Sequence, residues 1–178
     1  MYKTKINGIT LEIVKGNIVK QPDLDAIVNA ANAELKIGGG VAGAVHRAAG
    51  PELTEETRSL APIQPGQAVI TGGHNLDNDY IIHTLGPVYG RDKPEAKLLK
   101  DCYQNSLRVA EDSRLKSIGF PAISTGAFGY PLEPAAKVSM KAIKEYLDKI
   151  NYLQKLRFVL FNESDFEVYK QAAEKYFE

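Results

Sequence analysis

The sequence lacks tryptophan, has a single cysteine and carries no surplus of either charge. Because Cys102 has no second cysteine to pair with, an internal disulfide is excluded, and the 178-residue chain depends on its apolar core for stability. Lys and Arg together number 22, as do Asp and Glu, so no basic excess indicates nucleic acid as a partner. No apolar run reaches the roughly 18 residues that cross a bilayer, so we expect no membrane partner.

Signals for metal binding and for secretion are missing as well. The three histidines and one cysteine do not stand at the spacings typical of metal ligands, so we expect neither a metal nor another cofactor. The opening segment MYKTKINGITLEIV contains no apolar stretch of the kind found in secretory signals, which predicts a cytoplasmic protein. The length suits one domain over residues 1–178.

Short apolar runs alternate with helical patterns along the whole chain. Asn7-Gly8 between two alternating segments predicts an opening β-hairpin, and the continuous apolar runs that follow predict strands buried on both faces. The predicted strands are Tyr2–Ile6, Ile9–Val14, Asp25–Asn29, Gln67–Thr71, Tyr80–Leu85, Ser117–Phe120 and Arg157–Phe161. The predicted helices are Val41–Ala49, Pro51–Arg58, Glu95–Ser113, Glu133–Lys149 and Glu163–Phe177. This order predicts an α/β domain with a mostly parallel sheet covered on both sides.

Three consecutive glycines, Gly38 to Gly40, stand directly before a predicted helix. The segment from Gly38 to Gly43 matches the G-x-G-x-x-G pattern of dinucleotide-binding folds. However, about eight residues separate it from the preceding strand, and no compact βαβ unit follows, so a Rossmann site is not favoured. Two interpretations remain: a structural one, in which the glycines form a flexible turn or allow tight helix packing, and a phosphate site in which glycines admit a ligand to the free N–H groups of a helix start.

A second glycine-rich loop follows the predicted strand at Ser117–Phe120, in the stretch SIGFPAISTGAFGYP. Loops beyond the carboxyl ends of parallel strands share one crevice, so this loop and the glycine triplet are placed to hold a diphosphate from two sides. Neither loop has the lysine and hydroxyl of a Walker motif, so magnesium-dependent triphosphate hydrolysis is not indicated.

Four motifs in sequence order carry a family resemblance: NAAN at 29–32, GGGVAGAVHRAAG at 38–50, HTLGPVY at 83–89 and FPAISTGAFGYP at 120–131. Together they resemble the macrodomain family, over the chain from about Lys15 to the C-terminal helix. The resemblance implies a three-layer α/β/α sandwich with a mixed, mostly parallel sheet that binds ADP-ribose. Many members remove ADP-ribose from proteins or deacetylate O-acetyl-ADP-ribose.

The resemblance also implies which residues contact the ligand. One diphosphate loop would comprise Gly39, Gly40 and Val41, and the other Ser124, Thr125, Gly126, Ala127 and Phe128. Gly126 and Ala127 would donate backbone N–H groups to phosphate oxygens, and Phe128 would lie against the distal ribose. Asn32 matches the asparagine that faces the terminal ribose and places the reacting group.

The adenine end is implied at Asn17, Ile18, Phe161 and Asn162, with Phe161 packing on the purine. Family members usually have aspartate where this chain has Asn17. An asparagine retains a carbonyl acceptor but loses the charge that strengthens a hydrogen bond to the adenine amino group. We therefore expect weaker selection for adenine.

The chain departs from the resemblance at one position that bears on catalysis, because Ala42 stands where many hydrolytic members have aspartate. An alanine cannot take a proton or orient water, although His46 is retained one helical turn later. Some members with VAG at this place, including viral ones, are active, with the substrate phosphate orienting water. The sequence favours a hydrolase in which Asn32 is catalytic and His46 has a supporting role. A purely structural role for His46 is the alternative. The alternative is a non-catalytic ADP-ribose reader. The expected partner is ADP-ribose or an ADP-ribosylated protein.

Overall fold

A computed structural model describes residues 1–178 and contains one seven-stranded sheet. The strands are β1 (Tyr2–Ile6), β2 (Ile9–Lys15), β3 (Ala26–Ala30), β4 (Ala68–Gly72), β5 (Tyr80–Thr84), β6 (Ser117–Phe120) and β7 (Lys155–Leu160). Their order across the sheet is β1-β2-β7-β6-β3-β5-β4. The five inner strands are mutually parallel, and the edge strands β1 and β4 pair antiparallel. The prediction of a mixed, mostly parallel sheet is confirmed.

Helices cover both faces of this sheet. They are α1 (Gly40–Ala49), α2 (Pro51–Thr57), α3 (Glu95–Asp112), α4 (Leu132–Tyr146) and α5 (Glu163–Phe177), with a 3₁₀ turn at Leu147–Lys149. The first two helices pack on one face, and α3, α4 and α5 pack on the other, which confirms the three-layer sandwich. No helix is both long and apolar enough to cross a membrane.

The two largest apolar clusters lie on the two faces of the sheet because neighbouring residues of a strand point in opposite directions. Ile27 and Ile81 join Leu53 of α2 in the smaller core of 7 buried residues. Their neighbours Val28 and Ile82 belong to the larger core of 32 buried residues beneath α3, α4 and α5. Most of the hydrophobic stabilisation therefore comes from that second side.

Several predicted boundaries shift by one to three residues. The predicted helix Glu133–Lys149 is α-helical only from Leu132 to Tyr146 and ends in the 3₁₀ turn. The predicted strand Arg157–Phe161 is wrong at its end, because β7 stops at Leu160 and leaves Phe161 81% exposed. An apolar residue thus lies outside the core, at the carboxyl edge of the sheet.

The loops predicted to bind the ligand all lie at the carboxyl edge of the parallel strands. β3 leads into the glycine triplet and β6 into the second glycine-rich loop, and these strands are neighbours in the sheet. β7 and β2 come next in the order and lead into the predicted adenine-side residues. The fold therefore places the two predicted subsites side by side along one edge.

Candidate functional site

A cleft of about 270 Å³ opens at the carboxyl ends of β3 and β6. Most of the residues predicted for the diphosphate and the distal ribose line it: Asn32, Gly39, Gly40, Val41, Ser124, Gly126, Ala127 and Phe128. A larger depression of about 370 Å³ lies at the opposite edge of the sheet, near the C-terminus, and contains none of the predicted residues. The structure therefore brings both glycine-rich loops to one concave surface.

The first loop presents free N–H groups at the start of α1. The N–H groups of Gly40, Val41 and Ala42 donate no hydrogen bond within the chain. Gly40 has a φ of 54°, in the left-handed region where glycine is unstrained. The helix dipole adds positive potential at this end, so the loop suits an anion.

A glycine inside α1 lets this loop pack closely on its own helix. A Cβ added at Gly43 would collide with the carbonyl oxygen of Gly38. The two glycines therefore have different uses, since Gly40 supplies a backbone angle and Gly43 supplies space. The glycine motif extends into the helix because Gly43 must leave room for the carbonyl group of Gly38.

The second loop also offers three consecutive unpaired donors. Within the loop, the N–H of Gly129 donates to Gly126 O (3.0 Å) and the N–H of Tyr130 donates to Ser124 O (2.9 Å). The N–H groups of Gly126, Ala127 and Phe128 have no acceptor in the chain. Thr125 does not line the cleft; its hydroxyl donates to Ala122 O (2.9 Å) and closes the turn.

Ser124 and Gly86 form a close contact that supports the second loop. Ser124 has a φ of 66°, is buried, and its Oγ has no hydrogen-bond partner. A Cβ added at Gly86, which follows β5, would collide with that Oγ. Gly86 lines the cleft, but its motif HTLGPVY indicated no role for it, because contacts between distant loops leave no local pattern.

Substitution of Gly86 by alanine is expected to lower the free energy of unfolding by about 1–3 kcal/mol, because an overpacked methyl group must displace Ser124. ADP-ribose affinity should fall with it, since the second loop moves. Urea denaturation and calorimetry measure the two effects. Gly126→Ala is the stability control, as a Cβ there meets no atom within 4 Å. Equal stability of the two variants would contradict the packing argument.

Asn32 lines the cleft and also shapes the loop that follows it. Its Nδ2 donates to Lys36 O (2.7 Å), and its Oδ1 accepts from Lys36 N (3.0 Å). A primary amide has two N–H groups, so one donor remains for a ligand. A Cβ at Gly38 would lie 3.1 Å from Nδ2, so the glycine triplet also makes room for this amide.

The predicted adenine-side residues form a separate group beside the cleft. The loop after β2 is tied to the end of β7, because Gly16 N donates to Leu160 O (2.8 Å). This contact brings Asn17 and Ile18 next to Phe161, and none of the three lines the cleft itself. Asn162 caps α5, with its Oδ1 accepting from Asp165 N (2.9 Å).

Comparison with known proteins agrees with this geometry. The Macro domain family model matches residues 28–139. The chain belongs to the macro domain family. It is 46% identical to the ADP-ribose glycohydrolase MACROD2 of Xenopus laevis, over 92% of the chain and 40% of that protein. It is 43% identical to the O-acetyl-ADP-ribose deacetylase of Klebsiella pneumoniae, over 93% and 97%. The structure of the Oceanobacillus iheyensis macrodomain with ADP matches at a TM-score of 0.93 and 39% identity, covering 98% of this chain and 95% of that one.

In this macro domain, His46 is buried rather than part of the cleft wall. Its Nδ1 lies 3.4 Å from Thr54 Oγ1, and its buried Nε2 has no hydrogen-bond partner. Burial lowers its pKa, so the ring is held neutral. The catalytic role assigned to His46 stays a prediction, and this position suits support of the cleft from behind.

His83 is also buried, and both of its ring nitrogens have hydrogen-bond partners. Its Nδ1 is 3.0 Å from Asn29 Nδ2, and its Nε2 is 2.9 Å from Thr71 Oγ1. Burial, with a smaller contribution from His46, lowers the pKa of His83 to about 3. A neutral ring satisfies both contacts, which gives His83 a structural role in the core.

These histidines are expected to make the macro domain less stable in mild acid. In the unfolded chain a histidine has a pKa of about 6.5. Between that value and about 3, the unfolded state binds more protons than the folded state, so stability falls as the pH falls. For His83, the contribution to the free energy of unfolding that is present at pH 7 and lost below about pH 3 is on the order of 5 kcal/mol.

Urea denaturation from pH 7 to about 5.5 measures this slope, before most carboxylates titrate. His83→Gln should flatten it, because the substituted side chain does not titrate in this range. A wild-type slope equal to that of His83→Gln would contradict the assignment. The structure contains no group of three or more His, Cys, Asp or Glu side chains that could hold a metal ion.

Proposed function

We propose that this macro domain binds ADP-ribose with the diphosphate between its two glycine-rich loops. The observation that carries the proposal is the set of six unpaired N–H groups, three from Gly40–Ala42 and three from Gly126–Phe128, on two adjacent loops. Two converging sets of donors suit two linked phosphates, because each phosphate oxygen can accept from a fixed backbone N–H. The Oceanobacillus iheyensis macrodomain, whose fold this chain shares, holds ADP.

We further propose that the domain hydrolyses substrates that carry a group on the terminal ribose of ADP-ribose, either a mono-ADP-ribosylated protein or O-acetyl-ADP-ribose. For an ADP-ribosylated carboxylate, water adds to the anomeric carbon, the bond to the carboxylate oxygen breaks, and the proton of the water passes to solvent. Asn32 would place the ribose through its remaining N–H, and the loop N–H groups would stabilise the diphosphate. His46 would support α1 from behind. The relatives named as a glycohydrolase and as a deacetylase support this class of reaction.

The second candidate is an ADP-ribose reader without catalysis. Ala42 favours it, because this residue lines the cleft and offers no group that takes a proton. In the hydrolase candidate, the substrate phosphate would have to orient the attacking water, because Ala42 cannot. The two candidates share the binding site and differ only in turnover.

Incubation with an automodified mono-ADP-ribosylated protein and, separately, with O-acetyl-ADP-ribose tests the proposal. We expect release of ADP-ribose from one or both, above the rate with Asn32→Ala. Tight binding measured by calorimetry, with no release above that control for either substrate, would leave the reader function. Failure to bind ADP-ribose at millimolar concentration would contradict both candidates.

A further inference from the structure

Arg157 lies within β7, and most of its side chain is buried. It stands opposite Glu12 of the neighbouring parallel strand β2, and its Nε donates to Glu12 Oε2 (2.7 Å). Its Nη1 and Nη2 donate to the two carboxylate oxygens of Asp23 (2.8 Å each), in the segment after β2. The side chains of Arg157 and Glu12 are only 12% and 5% exposed. The guanidinium therefore joins β7 both to β2 and to the segment that follows β2.

A fourth hydrogen bond extends this connection to the predicted adenine-side loop. Arg157 Nη1 also donates to Gln21 Oε1 (2.9 Å), and Gln21 Nε2 donates to the backbone oxygen of Asn17 (2.9 Å). Gln21 is buried, and a low-dielectric surrounding strengthens both of its bonds. Together with the bond from Gly16 N to Leu160 O, this link holds the loop against β7 at two points.

The same strand presents the exposed ring of Phe161, which follows directly on the end of β7. The loop after β2 lies at the same carboxyl edge, because β2 and β7 are parallel neighbours. With the diphosphate placed in the cleft at the ends of β3 and β6, a base that extends along this edge would reach β7 and β2 next. Arg157 therefore fixes the loop relative to the ring at the place where the base would lie.

A buried charge network of this kind is expected to affect geometry more than stability. Replacing a buried ion pair with apolar residues often leaves the free energy of unfolding unchanged, because desolvation offsets the attraction between the charges. The hydrogen bonds from Arg157 hold the pKa of Asp23 well below its usual range, so this carboxylate remains a charged acceptor in mild acid. Four hydrogen bonds on one planar guanidinium restrict its orientation, and with it the position of Gln21.

Resting on the proposed function, we propose that Arg157 is a positioning residue for the adenine end of ADP-ribose, acting through Gln21 on the backbone of Asn17. When this link is broken, the loop loses its fixed position relative to Phe161, and the contacts with the base weaken. The two glycine-rich loops lie at β3 and β6 and keep their contacts with the diphosphate.

Gln21→Met and Arg157→Lys break the link at its two ends. Methionine has nearly the length of glutamine but makes neither bond, and it leaves the guanidinium paired with its two carboxylates. Lysine keeps the positive charge and lacks the planar fork. Each variant should weaken ADP-ribose binding by about tenfold, which is the size of one base-stacking contact. The double variant should bind no more weakly than the weaker single variant, because both changes break one link.

Calorimetry and an amide chemical-shift titration of the full chain with ADP-ribose test the proposal. At saturation, the signal of Gly126 should shift in both single variants as it does in the wild type, whereas the signal of Ile18 should shift less. Loss of stability alone would not separate these two signals. Glu111→Gln is the control, because the Glu111 carboxylate accepts from three backbone N–H groups just before β7, at the opposite edge of the sheet. It should lower stability and leave the affinity unchanged.

Three results would overturn the proposal: unchanged affinity in both single variants, losses that add in the double variant, or an equal loss of affinity in Glu111→Gln. A wild type that does not bind ADP-ribose would instead refute the proposed function, and this inference with it.

Discussion

Replacement of Gly126 by glutamate is expected to weaken ADP-ribose binding by at least about a hundredfold, with little change in stability. A Cβ at Gly126 meets no protein atom within 4 Å, and its φ is not in the left-handed region, so the fold accepts a side chain there. The same open space is the cleft, and the carboxylate would lie where we place the diphosphate. Like charges in a partly desolvated cleft repel strongly. Calorimetry measures the affinity, and thermal denaturation measures the stability.

Gly126→Gln is the matched control, because it has nearly the same shape without the charge. We expect glutamine to weaken binding less than glutamate, and the difference to shrink at high salt. If the two variants bound equally, the effect would come from bulk alone. If glutamate bound ADP-ribose as the wild type does, the diphosphate would not lie at this loop.

The second large effect is expected on turnover at Asn32. Asn32→Ala should slow release of ADP-ribose by about a hundredfold, because the ribose loses the donor that places it. ADP-ribose affinity should fall by no more than about fivefold, since the loop N–H groups remain. Single-turnover release and calorimetry separate the two quantities.

Asn32→Asp distinguishes ligand placement from loop shape. An aspartate retains an acceptor for Lys36 N, so it keeps one of the two bonds that shape the loop, but it has no N–H for the ribose. We expect it to be nearly as slow as Asn32→Ala. Full activity of Asn32→Asp would show that Asn32 acts only on the loop and not on the substrate.

The fold followed from the sequence wherever burial determined the pattern. β6 and α5 have the predicted bounds, because an apolar run buried on both faces and an amphipathic helix each leave a clear period. β7 was predicted to include Phe161, since an aromatic residue after an apolar run resembles one more core position. The structure leaves this ring exposed at the sheet edge, which periodicity alone does not reveal.

The two loops of the candidate site could be predicted from the sequence, but the contacts that support these loops could not. Consecutive glycines before a helix are a local signal, whereas the fit of Gly86 against Ser124 joins residues 38 positions apart. The hydrogen bonds from Arg157 to Gln21 and from Gln21 to Asn17 O likewise join β7 to the loop after β2, across 136 positions of sequence, and have no motif. His46 shares a motif with the glycine triplet, yet the helix turns it towards the core. Proximity in sequence indicated the cleft, and packing decided which side chains reach it.

The most direct test of the two-loop site is an amide chemical-shift titration of the isotope-labelled protein with ADP-ribose. We expect the signals of Gly40 and Gly126 to shift together and to saturate with one dissociation constant, because one diphosphate accepts from both loops. Gly8, in the hairpin turn at the far edge of the sheet, should not move. If neither Gly40 nor Gly126 shifted at millimolar ADP-ribose, the site and the chemistry assigned to it would be contradicted.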